Sequence, residues 1–157
     1  IVGDGTYQML PMELATVAQE GIKVIYVLLQ NYGFASIGAL SESHGSQRFG
    51  TTFRQRGQGS HLEDEKTIPG VDIAANARSL GIDVIEAHGM DEFRQAYEKA
   101  HASDRATMIH IETDLMGPNP PNSSWWDVVV ASTSTLESTQ KAHAEYVEAR
   151  KPQRHYL

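Results

Sequence analysis

The chain contains no cysteine, only two tryptophans and no apolar run near the roughly 18 residues that a membrane-crossing helix needs. Without thiols it forms no disulfide, holds no metal through thiolates and offers no cysteine nucleophile. It also lacks a long basic run. Its 13 Lys and Arg stand against 20 Asp and Glu, a formal net charge of −7, so binding that tracks a nucleic-acid backbone has no support. Neither a membrane nor a nucleic acid is an expected partner, and with no leader-like segment the cytoplasm is the expected location. The initiating methionine is missing as well: the sequence starts at Ile1, two residues ahead of Gly3, as if inside the tail of an apolar strand. The expectation is a piece of a longer polypeptide.

What is present suits one ordinary domain: 157 residues, 40% hydrophobic and 21% charged, enough to bury one core. After the strand remnant Ile1 and Val2, residues 10–20 place Leu10, Leu14 and Val17 at helical spacing, with Pro11 tolerable in a first turn. Residues 22–29, "IKVIYVLL", form a continuous β-branched run of the kind buried on both faces. Asp72 could cap a helix with Ile73, Ala74, Ala77 and Leu80 on one face, closed by Gly81. Residues 82–87 and 106–113 read as strands. Phe93, Ala96, Tyr97 and Ala100 mark one further helix; Ala142, Tyr146 and Ala149 mark another over 136–150, with Glu137 and Lys141 as an outer pair. Alternating strands and helices predict an α/β fold, a three-layer αβα arrangement around a mainly parallel sheet in a single domain spanning 1–157. Residues 44–70 stand apart as a long polar loop, and 117–127 as a turn-rich linker ending near Trp125 and Trp126.

Two apolar runs end in polar, glycine-bearing clusters: "IVGDG" at Asp4 and "VLLQNYG" at Asn31. In a parallel sheet, ligands bind beyond the carboxyl ends of the strands, and a βαβ crossover would bring these clusters side by side. A carboxylate, an amide oxygen and a free carbonyl are hard donors that suit Mg²⁺ or Ca²⁺. Gly3 and Gly5 permit close backbone approach, and Gly33 allows the chain after Asn31 to turn and offer its carbonyl inward. The pattern reads as a diphosphate held through a divalent cation. A lone Gly-Asp-Gly is a common turn; its coupling to a helix, a strand and Asn-x-Gly makes a site the better reading.

On these residues the chain resembles the thiamine-diphosphate-dependent enzymes, whose cofactor motif runs from Gly-Asp-Gly to a closing Asn-Asn. Gln30 stands here where that motif has its first Asn. The resemblance implies the thiamine-diphosphate-binding fold, thiamine diphosphate and Mg²⁺ as cofactors, and Asp4, Asn31 and the Gly33 carbonyl as metal ligands. It places Gly3, Gly5 and Thr6 at the diphosphate, with Gly33 and Phe34 beside it. Downstream, "FGTTFRQR", "VDIAANARSLG" and "SSWWDVVVASTS" resemble a branch of the family that opens a cyclic 1,2-diketone with water. The branch implies that small molecule as substrate. It also implies a pyrimidine-binding domain of a partner subunit carrying the activating glutamate, a homo-dimer or homo-tetramer, and inactivity of this chain alone. Another carboligase or decarboxylase of the family, or a non-catalytic α/β assembly module, are the competing readings.

Arg54 is the substrate-contact candidate, with Arg48 and Arg56 equally well explained as loop cations. His44, His61 and Glu13 read as exposed, His110 as a satisfied core histidine, and Met9 and Met12 as core filling.

Overall fold

The computed structural model of the chain describes residues 1–55, 71–114 and 127–154. They fall into two compact units: residues 1–35 with 52–55 and 71–114, and residues 36–51 with 127–154.

The first unit holds four strands, β1 (Val2–Gly3), β2 (Ile25–Gln30), β3 (Asp83–Glu86) and β4 (Thr107–Glu112), in the order β1-β2-β4-β3. All the pairings are parallel, with Gly3 opposite Leu29, Leu28 opposite His110 and Val84 opposite Met108. Its helices are α1 (Asp4–Met9), α2 (Glu13–Gln19), α4 (Ile73–Ser79) and α5 (Met90–Ala102); α3 (Ala35–Ser43) begins at the unit's last residue before 52 and belongs to the second.

The strand period of two sorts the core. Leu28, Met108 and Val84 pack with Tyr7 of α1, Leu14 and Val17 of α2, and Ile73 and Ala77 of α4. Ile25, Ile85, Ile109 and Ile111 face the other way and pack against Phe93, Ala96 and Ala100 of α5. Helices therefore cover both faces, as expected for three layers. Leu28, Ile73, Ile82, Met108 and Ile109 are the largest fully buried apolar side chains, each stabilising by about 1.5–3 kcal/mol. The Asp72 side chain accepts from the Ala75 N–H at 2.7 Å and starts α4. Gly81, in the left-handed region at φ 89°, ends it.

Several expectations need correction. The apolar run at 22–29 becomes a strand only from Ile25. The helix expected over 10–20 is only α2, from Glu13, and α1 precedes it as a separate helix over Asp4–Met9 that ends before Pro11, which has no N–H to continue it. The Tyr7 carbonyl accepts from Leu10 instead, and α2 starts afresh with Leu14 and Ala15 bonding back to Pro11 and Met12. Leu10, Met9 and Met12 are 66%, 68% and 61% exposed rather than core filling, and Tyr97 is also exposed.

The second unit contains α3 and α6 (Glu137–Arg150). Gly45, just after α3, is left-handed at φ 81°, and its carbonyl accepts from Ser138 Oγ at 2.6 Å and Thr139 Oγ1 at 2.8 Å. At the far end of α6 the Tyr146 hydroxyl donates to Asp127 at 2.8 Å, with Arg150 stacked 5.7 Å from the Tyr146 ring centroid. Tyr146 faces inward as expected, but Lys141 meets Glu145 at 3.9 Å rather than Glu137. The stretch read as a polar loop from 44 is preceded by α3, a helix that the sequence reading did not anticipate.

Candidate functional site

β1 and β2 are neighbours in register, so their carboxyl ends place Asp4 beside Asn31, as the crossover predicts. Asp4 opens α1 and is 1% exposed. A carboxylate buried this deeply needs partners, and the backbone supplies them. Its Oδ1 accepts from the Gly5 N–H at 2.9 Å; its Oδ2 accepts from Tyr32 N–H at 2.6 Å and Gly33 N–H at 3.3 Å.

One end of the Asn31 side-chain amide stands 3.0 Å from the Gly33 carbonyl oxygen and 3.2 Å from Asp4 Oδ1, and with no cation between them the NH₂ is the end that satisfies both. Turned over, the amide sets three oxygens facing one another, which repel unless a cation lies among them. Mg²⁺ binds oxygen at 2.0–2.1 Å, so adjacent ligands of its octahedron stand about 2.9 Å apart. The observed spacing fits, and the donor set of one carboxylate, one amide and one carbonyl suits a hard cation. No group of three or more His, Cys, Asp or Glu side chains that could hold a metal occurs among the described residues.

The loop that carries these atoms is tightly held. Tyr32, not Gly33, takes the left-handed conformation, at φ 60°, which corrects the expectation that glycine makes this turn. The Tyr32 carbonyl accepts from the Phe53 N–H at 2.8 Å, and Gly33 forms an antiparallel bridge with Thr52. Burial first, and then the Glu112 carboxylate alongside, push the Tyr32 phenol above its ordinary value.

Among the residues expected at a diphosphate, Gly5 and Phe34 are brought together. A Cβ on Gly5 would stand 2.7 Å from Phe34 Cε1, and Phe34 is itself set edge-on against Phe53, with ring centroids 5.8 Å apart. A Cβ on Gly3 would meet nothing within 4 Å of the described protein, and Thr6 is exposed. Both therefore have room for a ligand next to the buried Asp4.

Arg54 follows the segment that clasps the loop, and its Nε is buried with no hydrogen-bond partner among the described residues. Arg48 is paired with Glu42 at 2.9 Å. His44 is tied down at the end of α3, with Nδ1 2.8 Å from the Leu40 carbonyl. Glu13 is exposed, as expected. Arg56, His61, Trp125 and Trp126 lie outside the described residues.

One group escaped the sequence reading. His110 is satisfied as expected, and its partner is Gln30, with Nε2 and Oε1 2.6 Å apart. With Tyr32, Glu86, Glu112 and the start of α4 they line a polar cavity of about 350 Å³ beyond the ends of β2, β3 and β4. Arg78 donates to Glu86 at 2.7 Å and holds its carboxyl below the usual range. The only advance signal was that Gln30 departs from the motif.

A family model for the thiamine pyrophosphate enzyme C-terminal TPP binding domain matches residues 1–111, and the chain belongs to that family. Among its relatives, 3D-(3,5/4)-trihydroxycyclohexane-1,2-dione hydrolase 1 of Bacillus cereus is 35% identical over 147 residues, covering 94% of this chain and 23% of that protein. The 3D-(3,5/4)-trihydroxycyclohexane-1,2-dione hydrolase of Bacillus thuringiensis (strain Al Hakam) is 34% identical over the same shares. The chain thus spans less than a quarter of the length of these relatives. In fold it resembles benzoylformate decarboxylase from Polynucleobacter necessarius, with a TM-score of 0.56, 24% identity and coverage of 73% of this chain and 19% of that one. It also resembles the thiamine diphosphate-dependent 4-hydroxybenzoylformate decarboxylase of Rhodococcus jostii RHA1, with a TM-score of 0.55, 23% identity and coverage of 72% and 19%.

Proposed function

We propose that this chain is the diphosphate- and Mg²⁺-binding domain of a longer, thiamine-diphosphate-dependent C–C hydrolase. The observation that carries the reading is the convergence of Asp4 Oδ1, the Asn31 side-chain amide and the Gly33 carbonyl, with the amide 3.2 and 3.0 Å from the two oxygens. In this reading those three atoms hold Mg²⁺, Gly3, Gly5 and Thr6 border the diphosphate, and Phe34 packs beside it. When bound, thiamine diphosphate supplies a carbanion that adds to a carbonyl and makes the neighbouring C–C bond breakable. The chain's own contribution is position and electrostatics. Buried Asp4 fixes the cation, and Arg54, whose Nε has no partner among the described residues, is a donor available to an anionic or hydroxylated group.

The substrate assignment is the cyclic diketone 3D-(3,5/4)-trihydroxycyclohexane-1,2-dione, opened by water to 5-deoxy-glucuronate in cytoplasmic myo-inositol catabolism. The names of the relatives support it over a carboligase or decarboxylase, since the decarboxylases match in fold alone. Membership of a cofactor-binding family speaks against a non-catalytic module. Exposed Met9, Leu10 and Met12, close in sequence to the cofactor loop, suit burial against a pyrimidine-binding domain of a partner subunit in a homo-dimer or homo-tetramer. No helix among the described residues is long and apolar enough to cross a membrane.

The test is turnover by the full-length protein, following ring-opening of the dione beside pyruvate consumption. Dione opening without pyruvate consumption is the expected result, together with no turnover by residues 1–157 alone. Pyruvate consumption in place of ring-opening would reassign the enzyme, and turnover by the isolated chain would show that no second domain is required.

A further inference from the structure

The residue before the proposed metal ligand Asn31 is anchored from a different strand. Gln30 is the last residue of β2 and only 4% exposed. It continues the β2 face that carries Tyr26 and Leu28, and because Leu28 stands opposite His110 of β4, the Gln30 and His110 side chains share that face as diagonal neighbours. There Oε1 meets Nε2 of His110, itself 8% exposed, at 2.6 Å. With the Gln30 oxygen as acceptor, the His110 tautomer that makes this bond is the one with its hydrogen on Nε2. The Gln30 carbonyl is held by the residue that follows β4, accepting from Thr113 N–H at 2.8 Å and Thr113 Oγ1 at 3.4 Å.

The next residues are those whose placement matters. Asn31 and Gly33 present the two oxygens of the cation site, and Tyr32 between them is left-handed, a conformation that persists in a non-glycine residue only when its surroundings over-determine it. On the far side the turn is fixed by Thr52 and Phe53; on the near side, by Gln30.

We propose that the Gln30–His110 pair is a positioning device for the cation site, by which β4 sets where the Asn31 and Gly33 oxygens stand. The inference rests on the cation-site reading above and extends it to residues outside the Gly-Asp-Gly and Asn-x-Gly clusters. It also gives a reason for Gln at the place where the family motif has Asn. An Asn side chain is shorter by one methylene, about 1.3 Å of reach. It would leave a gap of roughly 3.9 Å to His110, too long for a hydrogen bond. Restoring the family residue would therefore harm this protein.

The experiment measures Mn²⁺ affinity in the full-length protein with thiamine diphosphate present, by electron paramagnetic resonance, for the unaltered protein and for Gln30→Asn, His110→Phe, their combination, and Gln30→Glu. Groups that orient metal ligands typically change affinity by about 10–100-fold. The expected result is a loss of roughly tenfold in either single variant, no further loss in the double variant, and a changed line shape for bound Mn²⁺. Gln30→Glu keeps an acceptor at the same reach and retains tight binding. Circular dichroism separates folded variants from unfolded ones, and Gln30→Asn serves if His110→Phe fails to fold. Affinity within twofold of the unaltered protein in folded Gln30→Asn would overturn the inference, as would losses that simply add. If the unaltered protein binds no Mn²⁺, the cation-site reading itself falls, an outcome seen before any variant is compared.

Discussion

At Gly5 the motif's glycine has a steric cause that can be read off one distance. A methyl group there would press on Phe34 at 2.7 Å, and the ring cannot retreat freely because Phe53 stands against it. Gly5→Ala is therefore expected to cost about 1–3 kcal/mol of stability, the usual range for overpacking, and to weaken thiamine-diphosphate binding in the full-length protein. Chemical denaturation monitored by circular dichroism measures the first effect. An unchanged midpoint would mean that Phe34 is free to move. The Gly-Asp-Gly pattern did not distinguish its two glycines: only Gly5 is crowded by the protein, while the space beside Gly3 is open. Nor did it reveal Tyr32, because a left-handed residue is conspicuous in sequence only when it is glycine.

At the scale of elements, β1, β2 and β4 were legible because β-branched runs bounded by glycine and polar residues have few alternatives in an α/β chain. Asp72 and Gly81 marked both ends of α4. The late start of α2 was not legible: residues 10–20 keep a helical apolar spacing, but α1 ends at Met9 and α2 begins only at Glu13, after Pro11, which lacks an N–H. Helix α3 escaped because its sequence, "ASIGALSES", has just one buried residue, Gly38. The contact between the end of α3 and α6 gives an element-scale prediction. Gly45 is left-handed and its missing Cβ would collide with the Ser138 backbone oxygen, while its carbonyl receives two hydroxyls from α6. Gly45→Ala is expected to destabilise this second unit by at least about 1–2 kcal/mol, the cost of the left-handed backbone alone. Hydrogen exchange should then quicken in α6 and leave β2 and β4 protected. Equal protection in α6 before and after the substitution would contradict that role for Gly45.

At the scale of the molecule, family, fold and the pairing of Asp4 with Asn31 were all readable, since a parallel βαβ unit leaves little choice about which strand ends meet. What failed was the assignment of Met9, Leu10 and Met12 to a core. Apolar composition signals burial somewhere, but not whether the covering surface lies in the same 157 residues, and this chain spans only 23% of its hydrolase relatives. The pairing of His110 with Gln30 was invisible for a related reason: a histidine on a buried strand looks the same in sequence whatever its partner on the next strand is. The central claim, that Asp4, Asn31 and Gly33 form one cation site that carries thiamine diphosphate, is tested most directly by calorimetric titration of the full-length protein with the cofactor, with and without Mg²⁺. Affinity should require Mg²⁺ and be lost in Asp4→Ala with the fold retained. Binding of equal strength without the metal, or undiminished in Asp4→Ala, would contradict it.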